Sequence, residues 1–567
     1  MGASSVLPPP RDIGAPDKYS HWRHMQAEAV LSAAESTKRF VGQGAPTGFG
    51  KSLVYVSQAK LTDARTVILT STKALQSQLF GDFSESGLIE IKGLNSYECV
   101  EGRPTGRFGD VRREGFRVDR GLPMACDEAP CQAGAFCPKR EGGCLYYDAY
   151  RKAVRGKLVV TNYSYWMNIN KYGEDKLGDV DLLVLDEAHN ALDELGEFIG
   201  TSMRQSDIET VLPVGKVPSL LPPSATMEDW VLWATHWHMI ADVTLESLKE
   251  AIREAEREGS NRKGDRVNHS SLKHARDLKR LISKLATVAS MKGDWVIDHT
   301  EDRERRPLVK FDPVWPGVYA EDNLFCGVPK VVMVSATMRP KTAHMLGISP
   351  ADLDFKEYPS TFPKNNRPII YLPTAKMSRN SEKASMPEMI TRVDQIIGRR
   401  PDRKGIIHTV SYERARAVYR GSTMRERLLQ HDGMNAREVI ARFKESKEPL
   451  VLISPVLDTG YDFPYEQCEF QIIIKVPFLV TTDKIVNARC ERDKEYKDYM
   501  AMVKLVQMSG RIVRAEDDQG ETFILDTDFW WYYFKNNAAR LAPNSFREAV
   551  RTDQMLLPPM PKLKRRA

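Results

Sequence analysis

Short apolar runs of strand length, each closing on polar or charged residues, recur along this chain. Val67-Ile68-Leu69-Thr70, Leu158-Val159-Val160-Thr161-Asn162 and Asp181-Leu182-Leu183-Val184-Leu185 have that form in the N-terminal half. Lys404 to Ser411, Leu450 to Ser454 and Gln471 to Lys475 repeat it in the C-terminal half. Nearly continuous apolar runs suit strands buried on both faces of a parallel sheet. His21 to Val30 and the residues from Ser52 onward read as helices, and Ser71 to Leu79 as a loop entering another. Strands alternating with helices predict two doubly wound α/β units with their chemistry at the strand ends. The middle of the chain follows a different period. Leu245, Leu248, Ile252 and Ala255 fall at helical spacing, as do Leu272, Ala275, Leu278, Ile282 and Leu285, with the polar stretch Gly259 to Gly264 between them. That pattern predicts an antiparallel helical hairpin.

Composition changes the picture in three ways. A length of 567 residues exceeds what one hydrophobic core organises, so several domains are expected. With 42% hydrophobic and 28% charged residues the chain reads as globular, and no apolar run approaches the roughly 20 residues that cross a bilayer. The expected location is the cytoplasm, where thiols stay reduced and clustered cysteines point to a metal site before disulfides. A net charge of +6 permits nucleic-acid binding without requiring it, and Lys562 to Arg566 reads as a solvated tail.

Candidate chemistry lies at two places in the N-terminal half. Ala45-Pro46-Thr47-Gly48-Phe49-Gly50-Lys51-Ser52 is a phosphate-binding loop, with alanine where its first glycine usually stands. Glycines let backbone N–H groups reach phosphate oxygens, Lys51 supplies a cation to the β- and γ-phosphates, and Ser52 can hold Mg²⁺. Asp186-Glu187-Ala188-His189 follows the third apolar run. Asp186 there suits Mg²⁺ and Glu187 suits the orientation and deprotonation of water. Together these predict an ATPase. Gln507, Arg511 and Arg514 in the C-terminal half are expected on one helix face, with the arginines able to reach a γ-phosphate held by the other domain.

In this order the motifs resemble superfamily 2 helicases over nearly the whole chain. Ala45 to Ser52 resembles motif I, Ser71 to Gln78 motif Ia, Asp186 to His189 motif II, Ser335-Ala336-Thr337 motif III, and Gln507 to Arg514 motif VI. Asp458 to Pro464, with Gly460 and Asp462, resembles motif V, although Asp458-Thr459-Gly460 stands where the family usually has a glutamate before the glycine. Arg23 and Gln26 resemble the adenine-reading element. Between motifs Ia and II stand Cys99, Cys126, Cys131, Cys137 and Cys144. The segments around Cys99 and Cys144 resemble those that carry the outer ligands in the XPD/DinG-type iron–sulfur helicases. The resemblance implies a 4Fe–4S cluster, with structural zinc as the alternative. Cys99, Cys131, Cys137 and Cys144 are the favoured ligands and Cys126 the alternate. Cys326, Cys468 and Cys490 read as buried free thiols.

The resemblance implies two RecA-like motor domains with a cluster domain and an arch-like helical domain inserted in the first. The boundaries expected are 1–90, 151–195 and 321–345 for the first motor domain, 91–150 for the cluster domain, 196–320 for the arch and 346–567 for the second motor domain. The activity implied is ATP-driven travel on single-stranded DNA, 5′ to 3′, with unwinding of forked or tailed duplex. The alternative is a translocase that remodels nucleoprotein without separating strands. Tyr97, Phe136, Tyr146 and Tyr147 are candidates for base stacking, and Lys273, Arg276, Lys279 and Arg280 for backbone contact. No membrane partner and a monomer are expected. The chain's length and its ending resemble phage or phage-like members, which would place it in a bacterial host's cytoplasm.

Overall fold

The computed structural model describes residues 7–100, 125–133, 137–173, 176–212, 219–259, 269–455, 462–553 and 558–560. Phe40–Gly44 (β1), Thr66–Thr70 (β2), Leu88–Glu90 (β3), Leu158–Asn162 (β4) and Leu182–Asp186 (β5) belong to the first sheet. Thr201–Met203 (β6), Trp295–Glu301 (β7) and Pro307–Pro313 (β8) form a separate antiparallel sheet in the order β6-β8-β7. Lys330–Ser335 (β9) and Leu353–Glu357 (β10) return to the first sheet, whose order is β10-β1-β9-β5-β2-β4-β3 with every pairing parallel. Ile369–Ala375 (β11), Gly405–His408 (β12), Leu428–Gln430 (β13), Val451–Ser454 (β14), Phe470–Ile473 (β15), Glu521–Asp526 (β16) and Val550–Thr552 (β17) make the second, in the order β13-β14-β12-β15-β16-β11-β17.

The two parallel sheets are the doubly wound RecA-like units the apolar runs predict. Ile68, Val160, Val184 and Val332 pack on one face of the first sheet, while Val67, Leu69, Val159, Leu183, Leu185 and Met333 pack on the other. Burial on both faces explains why these strands read as continuous apolar runs. The second of those cores continues through Tyr499, Val503 and Val506 into the other motor domain, so the two α/β units share buried surface.

Several expectations are corrected by the packing. The first sheet extends past residue 345, because Leu353–Glu357 pairs with β1 from Phe40↔Leu353 to Gly44↔Glu357. As an edge strand it alternates polar and apolar residues, and so lacks the signal of a central one. The helix expected from His21 begins only at Gln26, after Met25 in a left-handed conformation (φ 64°). The helix carrying Gln507 runs Tyr496–Ser509 and stops at Gly510, so Arg511 and Arg514 lie in the turn beyond it and do not share its face. Cys468 is fully buried, but Cys326 and Cys490 are partly exposed.

Between β6 and β7 the helices Met227–Gly259 and His269–Ala289 pack together as the hairpin period predicts. Trp230, Ala241, Leu245 and Ile252 meet Ala275, Leu278 and Leu285 in a core of their own. The connection, 260–268, and the side chains of Ala255 and Leu272 lie outside the described residues. The small β6-β8-β7 sheet at the base of the hairpin has no clear signal in the sequence. Its longest strands are short amphipathic runs such as Trp295–Glu301, half-exposed along most of their length.

Candidate active site and cysteine pocket

Strand register brings the candidate site together. β9 lies between β1 and β5, with Gly44 opposite Ser335 and Asp186 opposite Val334. The phosphate loop, Ser335 and the acidic box therefore leave the sheet side by side at its carboxyl edge, where open α/β sheets hold their ligands. Gly48 and Gly50 adopt φ of 78° and 79°. A Cβ on Gly50 would stand 2.4 Å from Gln26 Nε2, and one on Gly48 would stand 1.8 Å from Phe362 Cζ. Ala45, by contrast, has no positive φ, so its methyl group costs the loop nothing. Lys51 opens the helix Lys51–Leu61, whose first N–H groups face the loop.

Around the acidic box the polar groups form one network. Lys51 Nζ is 3.1 Å from Glu187 Oε1. Ser335 Oγ donates to Glu187 Oε2 at 3.2 Å and contacts His189 Nδ1 at 2.7 Å. His189 Nε2 meets the side-chain amide of Gln507 from the other motor domain. Burial, reinforced by Glu187, pushes the Asp186 carboxyl above the usual carboxylate range. Burial works against the charge of Glu187 as well, but Lys51, with Arg511, holds it below that range. Burial also lowers the pKa of His189, keeping the ring neutral. Asp186 Oδ1 is buried without a hydrogen-bond partner. That free oxygen and the Ser52 hydroxyl are oxygen donors of the kind Mg²⁺ takes.

The second domain closes the site from the other side. Asp462 pairs with Arg514 and lies 3.8 Å from Arg511 NH1. The turn carrying both arginines is held where Arg514 N–H donates to Asp518 Oδ2 at 3.0 Å. Burial lowers the Arg514 pKa to about 10, and Glu187 and Asp518 oppose the shift. A Cβ on Gly510 would be 2.9 Å from Thr47 Oγ1, so this turn abuts the phosphate loop. Gly460, with the rest of 456–461, lies outside the described residues. Gln26 has both ends of its amide engaged within the protein. Its Nε2 donates to Phe49 O at 2.6 Å and its Oε1 accepts from Arg23 N–H at 2.8 Å, while Arg23 NH1 donates to Gly48 O at 3.0 Å. In this arrangement the two residues brace the phosphate loop.

Sequence reading placed Ser335 in motif III without giving it a partner, and passed over two further residues of this site. Tyr163 donates to the Asp186 backbone carbonyl at 3.1 Å. Tyr55 stands one helical turn after Ser52, and its hydroxyl donates to Ser52 Oγ at 3.2 Å. Only that i to i+3 spacing was available beforehand, and it marks half the residues of any helix.

Cys99, Cys126, Cys131, Cys137 and Cys144 all line one pocket at the side of the first motor domain. Cys126 and Cys99 are buried and the other three partly exposed. Burial, with Cys144, Cys99 and Cys131 close by, pushes the Cys126 thiol up to about 12. The pocket has a volume of about 10 Å³, room for at most one water. Among the described residues no group of three or more His, Cys, Asp or Glu side chains is placed to hold a metal ion. Tyr146, buried, bonds Tyr165 OH at 3.0 Å, and Tyr97 OH accepts from Lys92 N–H at 3.1 Å, so both serve local packing. Phe136 lies outside the described residues. A larger cavity of about 930 Å³ runs between the cysteine segment, the first motor domain and the helical hairpin. Tyr147, Tyr172, Lys73, Arg140 and Lys279 line it, together with Glu194. Among the four hairpin cations proposed for backbone contact, Lys279 is the one that lines this cavity, and its ammonium donates to Gln132 O at 3.0 Å.

Two family profiles match the chain, a type III restriction enzyme res subunit over residues 19–228 and a helicase C-terminal domain over residues 400–548. A protein of Methanocaldococcus jannaschii named "Probable ATP-dependent helicase" is 22% identical across 90% of this chain and 92% of its own length. The "3'-5' exonuclease DinG" of Bacillus subtilis is 22% identical, covering 67% of this chain and 51% of that protein. The "ATP-dependent DNA helicase YoaA" of Haemophilus influenzae is 26% identical over 31% of this chain. The chain spans 34% of YoaA and about half of DinG. These similarities support an XPD/DinG-like superfamily 2 helicase. Solved structures of this group share its fold. S. tokodaii Xpd4 superposes with a TM-score of 0.56 at 15% identity, and an XPD helicase with 0.59 at 14%, each over 94% of this chain and 99% or more of its own.

Proposed function

We propose that this XPD/DinG-like protein is an ATP-dependent DNA helicase that moves along single-stranded DNA and separates duplex. The observation that carries the reading is the contact of Gln507, in the second motor domain, with His189, two residues from Glu187 in the first. A site completed from both domains turns nucleotide binding into domain closure, and domain closure into movement. Thr47, Gly48, Gly50 and Lys51 cradle the phosphates. Ser52 and Asp186 would hold Mg²⁺, which would supply charge to neutralise the phosphates. Lys51 is shared between Glu187 and the phosphates. When it turns to the phosphates, Glu187 keeps Ser335 as a donor and takes the proton of the attacking water. Arg511 and Arg514 stabilise the charge that develops on the γ-phosphoryl group. Arg23 and Gln26 keep the loop in register with the base.

The cavity of about 930 Å³, with its cations and tyrosines, supports a path for single-stranded DNA between the cysteine segment and the hairpin. The proposed direction of travel is 5′ to 3′, as the resemblance implies. Five thiols around one pocket fit an iron–sulfur cluster by donor type. Cys99, Cys131, Cys137 and Cys144 are the proposed ligands.

A fluorescent forked duplex with a single-stranded tail tests the function. Strand release that requires ATP, together with DNA-stimulated ATP hydrolysis, is the expected result. Stimulated hydrolysis without strand release would reduce the protein to a translocase. A visible spectrum of anaerobically purified protein tests the cluster. Broad absorbance that bleaches on reduction is expected, whereas a colourless protein with stoichiometric zinc would overturn it.

A further inference from the structure

Gln471 interrupts an apolar strand. β15 lies between β12 and β16, and its other residues, Phe470, Ile472 and Ile473, are buried hydrophobic side chains. A glutamine with no solvent exposure at that position needs every polar atom of its amide engaged, since an unpaired one costs stability. Three elements supply the partners. Gln471 Nε2 donates to Thr522 Oγ1 on β16 at 2.8 Å and to Ser509 O at 3.0 Å, and Gln471 Oε1 lies 3.1 Å from His408 Nε2 at the end of β12. The Ser509 carbonyl can only accept, which fixes the orientation of the amide. Oε1 can only accept as well, which puts the His408 proton on Nε2. Both N–H groups and the oxygen of Gln471 are then in use.

Two of these bonds stay within the sheet. Thr522 is the register partner of Gln471 on one side, and His408 stands two residues beyond Ile406, its register partner on the other. The third bond leaves the sheet. Ser509 is the last residue of the helix Tyr496–Ser509, and the final carbonyls of a helix have no partner within it. Gly510 and the turn with Arg511 and Arg514 come next. The far end of that turn is fastened where Arg514 N–H donates to Asp518 Oδ2, and the near end is fastened by Gln471. From this placement we infer that Gln471 is a positioning residue that caps the helix and sets the height of the arginine turn above the second sheet, and so its reach toward the γ-phosphate. The inference rests on the nucleotide-site reading above, in which Arg511 and Arg514 act. Without the amide, the helix end is free to lift from the sheet and carry the turn with it.

The test uses the full chain, with kcat and KM for DNA-stimulated ATP hydrolysis measured well below the thermal midpoint. Gln471→Met keeps the length and bulk of the side chain but removes the amide. The expected result is a kcat about ten- to hundredfold lower, the scale on which a small misplacement acts, with KM for ATP within about threefold of wild type. Gln471→Glu should show the same split, because it keeps an acceptor for His408 but turns an oxygen toward the Ser509 carbonyl. Should one of the two fail to fold, the other carries the comparison. Thr522→Val removes a bond from the same amide without freeing the helix, so it should lower the thermal midpoint and leave kcat within about twofold. Combined with Arg511→Ala, Gln471→Met should add less than about threefold, since both act through one turn. A wild-type kcat in the Gln471 variants, an equal loss in Thr522→Val, or losses that multiply in the double variant would overturn the inference while leaving the nucleotide site intact. If the wild-type chain hydrolyses no ATP at all, the proposed function falls and this inference with it.

Discussion

The nucleotide site and the cysteine pocket are both built on the first motor domain, and they are held in opposite ways. At the nucleotide site, charged and polar groups meet at strand ends, and Lys51, Glu187, Ser335 and His189 already satisfy one another. At the cysteine pocket, short 3₁₀ turns such as Cys126–Glu128 carry thiols that burial keeps protonated. Thiols are weak hydrogen-bonding groups and pack as small apolar side chains, so they impose little geometry until they become thiolates. The first region has its polar groups in place as it folds. On the proposed reading, the second takes its final shape only with its cluster.

If that contrast holds, each region can be broken without the other. Lys51→Ala should lower kcat/KM for ATP by about a hundredfold or more, since it removes the cation from phosphate and Glu187 alike, and its iron content should match wild type. Arg511→Ala should cost a comparable factor of about 10² to 10³ in kcat, with ATP affinity nearly unchanged if the arginine acts on the transition state. Cys131→Ser should show the reverse pattern to Lys51→Ala. Iron measured per chain should collapse, while ATP affinity stays within about twofold, because none of the described residues that line the pocket belongs to the nucleotide network. A parallel loss of ATP binding would show that the two regions are one cooperative unit.

Two smaller effects sharpen the comparison. Gln507→Ala and His189→Ala should each lower DNA-stimulated hydrolysis about tenfold, and the double variant should lose little more, since both report one contact between domains. Glu194 lines the large cavity, and burial, with Glu197 and Asp193 adding to it, pushes its carboxyl up to about 7. A raised carboxyl favours the protonated form in the fold, so the stability it contributes is complete below the ordinary carboxylate range and is lost as pH rises through about 7. Glu194→Gln should therefore gain stability over wild type between about pH 5 and pH 8 in thermal melts. Its affinity for single-stranded DNA should exceed that of wild type by about two- to threefold near pH 8, and by less near pH 6, because a charged carboxylate repels phosphate.

Much of this architecture is legible along the chain because parallel strands buried on both faces must be apolar throughout. Val67 to Thr70, Leu158 to Asn162 and Leu182 to Asp186 stand out for that reason. Edge and surface elements do not. Leu353–Glu357 alternates like an amphipathic strand and escapes notice, and the β6-β8-β7 sheet is half-exposed for most of β7. Arg511 and Arg514 sit at a spacing that suits a helix, yet Gly510 ends the helix before them and places them in a turn. Gln26 is recognisable by its position ahead of the phosphate loop, but its spacing says nothing of the Phe49 carbonyl and Arg23 N–H that take up its amide.

Residue types and their order along the chain are enough to establish two α/β units, a phosphate loop, an acidic box and a run of thiols between them, since local chemistry and hydrophobic period are properties of neighbouring residues. Which groups meet is a matter of three dimensions. The pairing of β9 between β1 and β5 sets Ser335 against Glu187, and the packing of the second domain brings Gln507 to His189 across 318 positions of chain. The convergence of five cysteines on one pocket likewise depends on core packing. Those arise from contacts between residues far apart in sequence, and no local spacing encodes them.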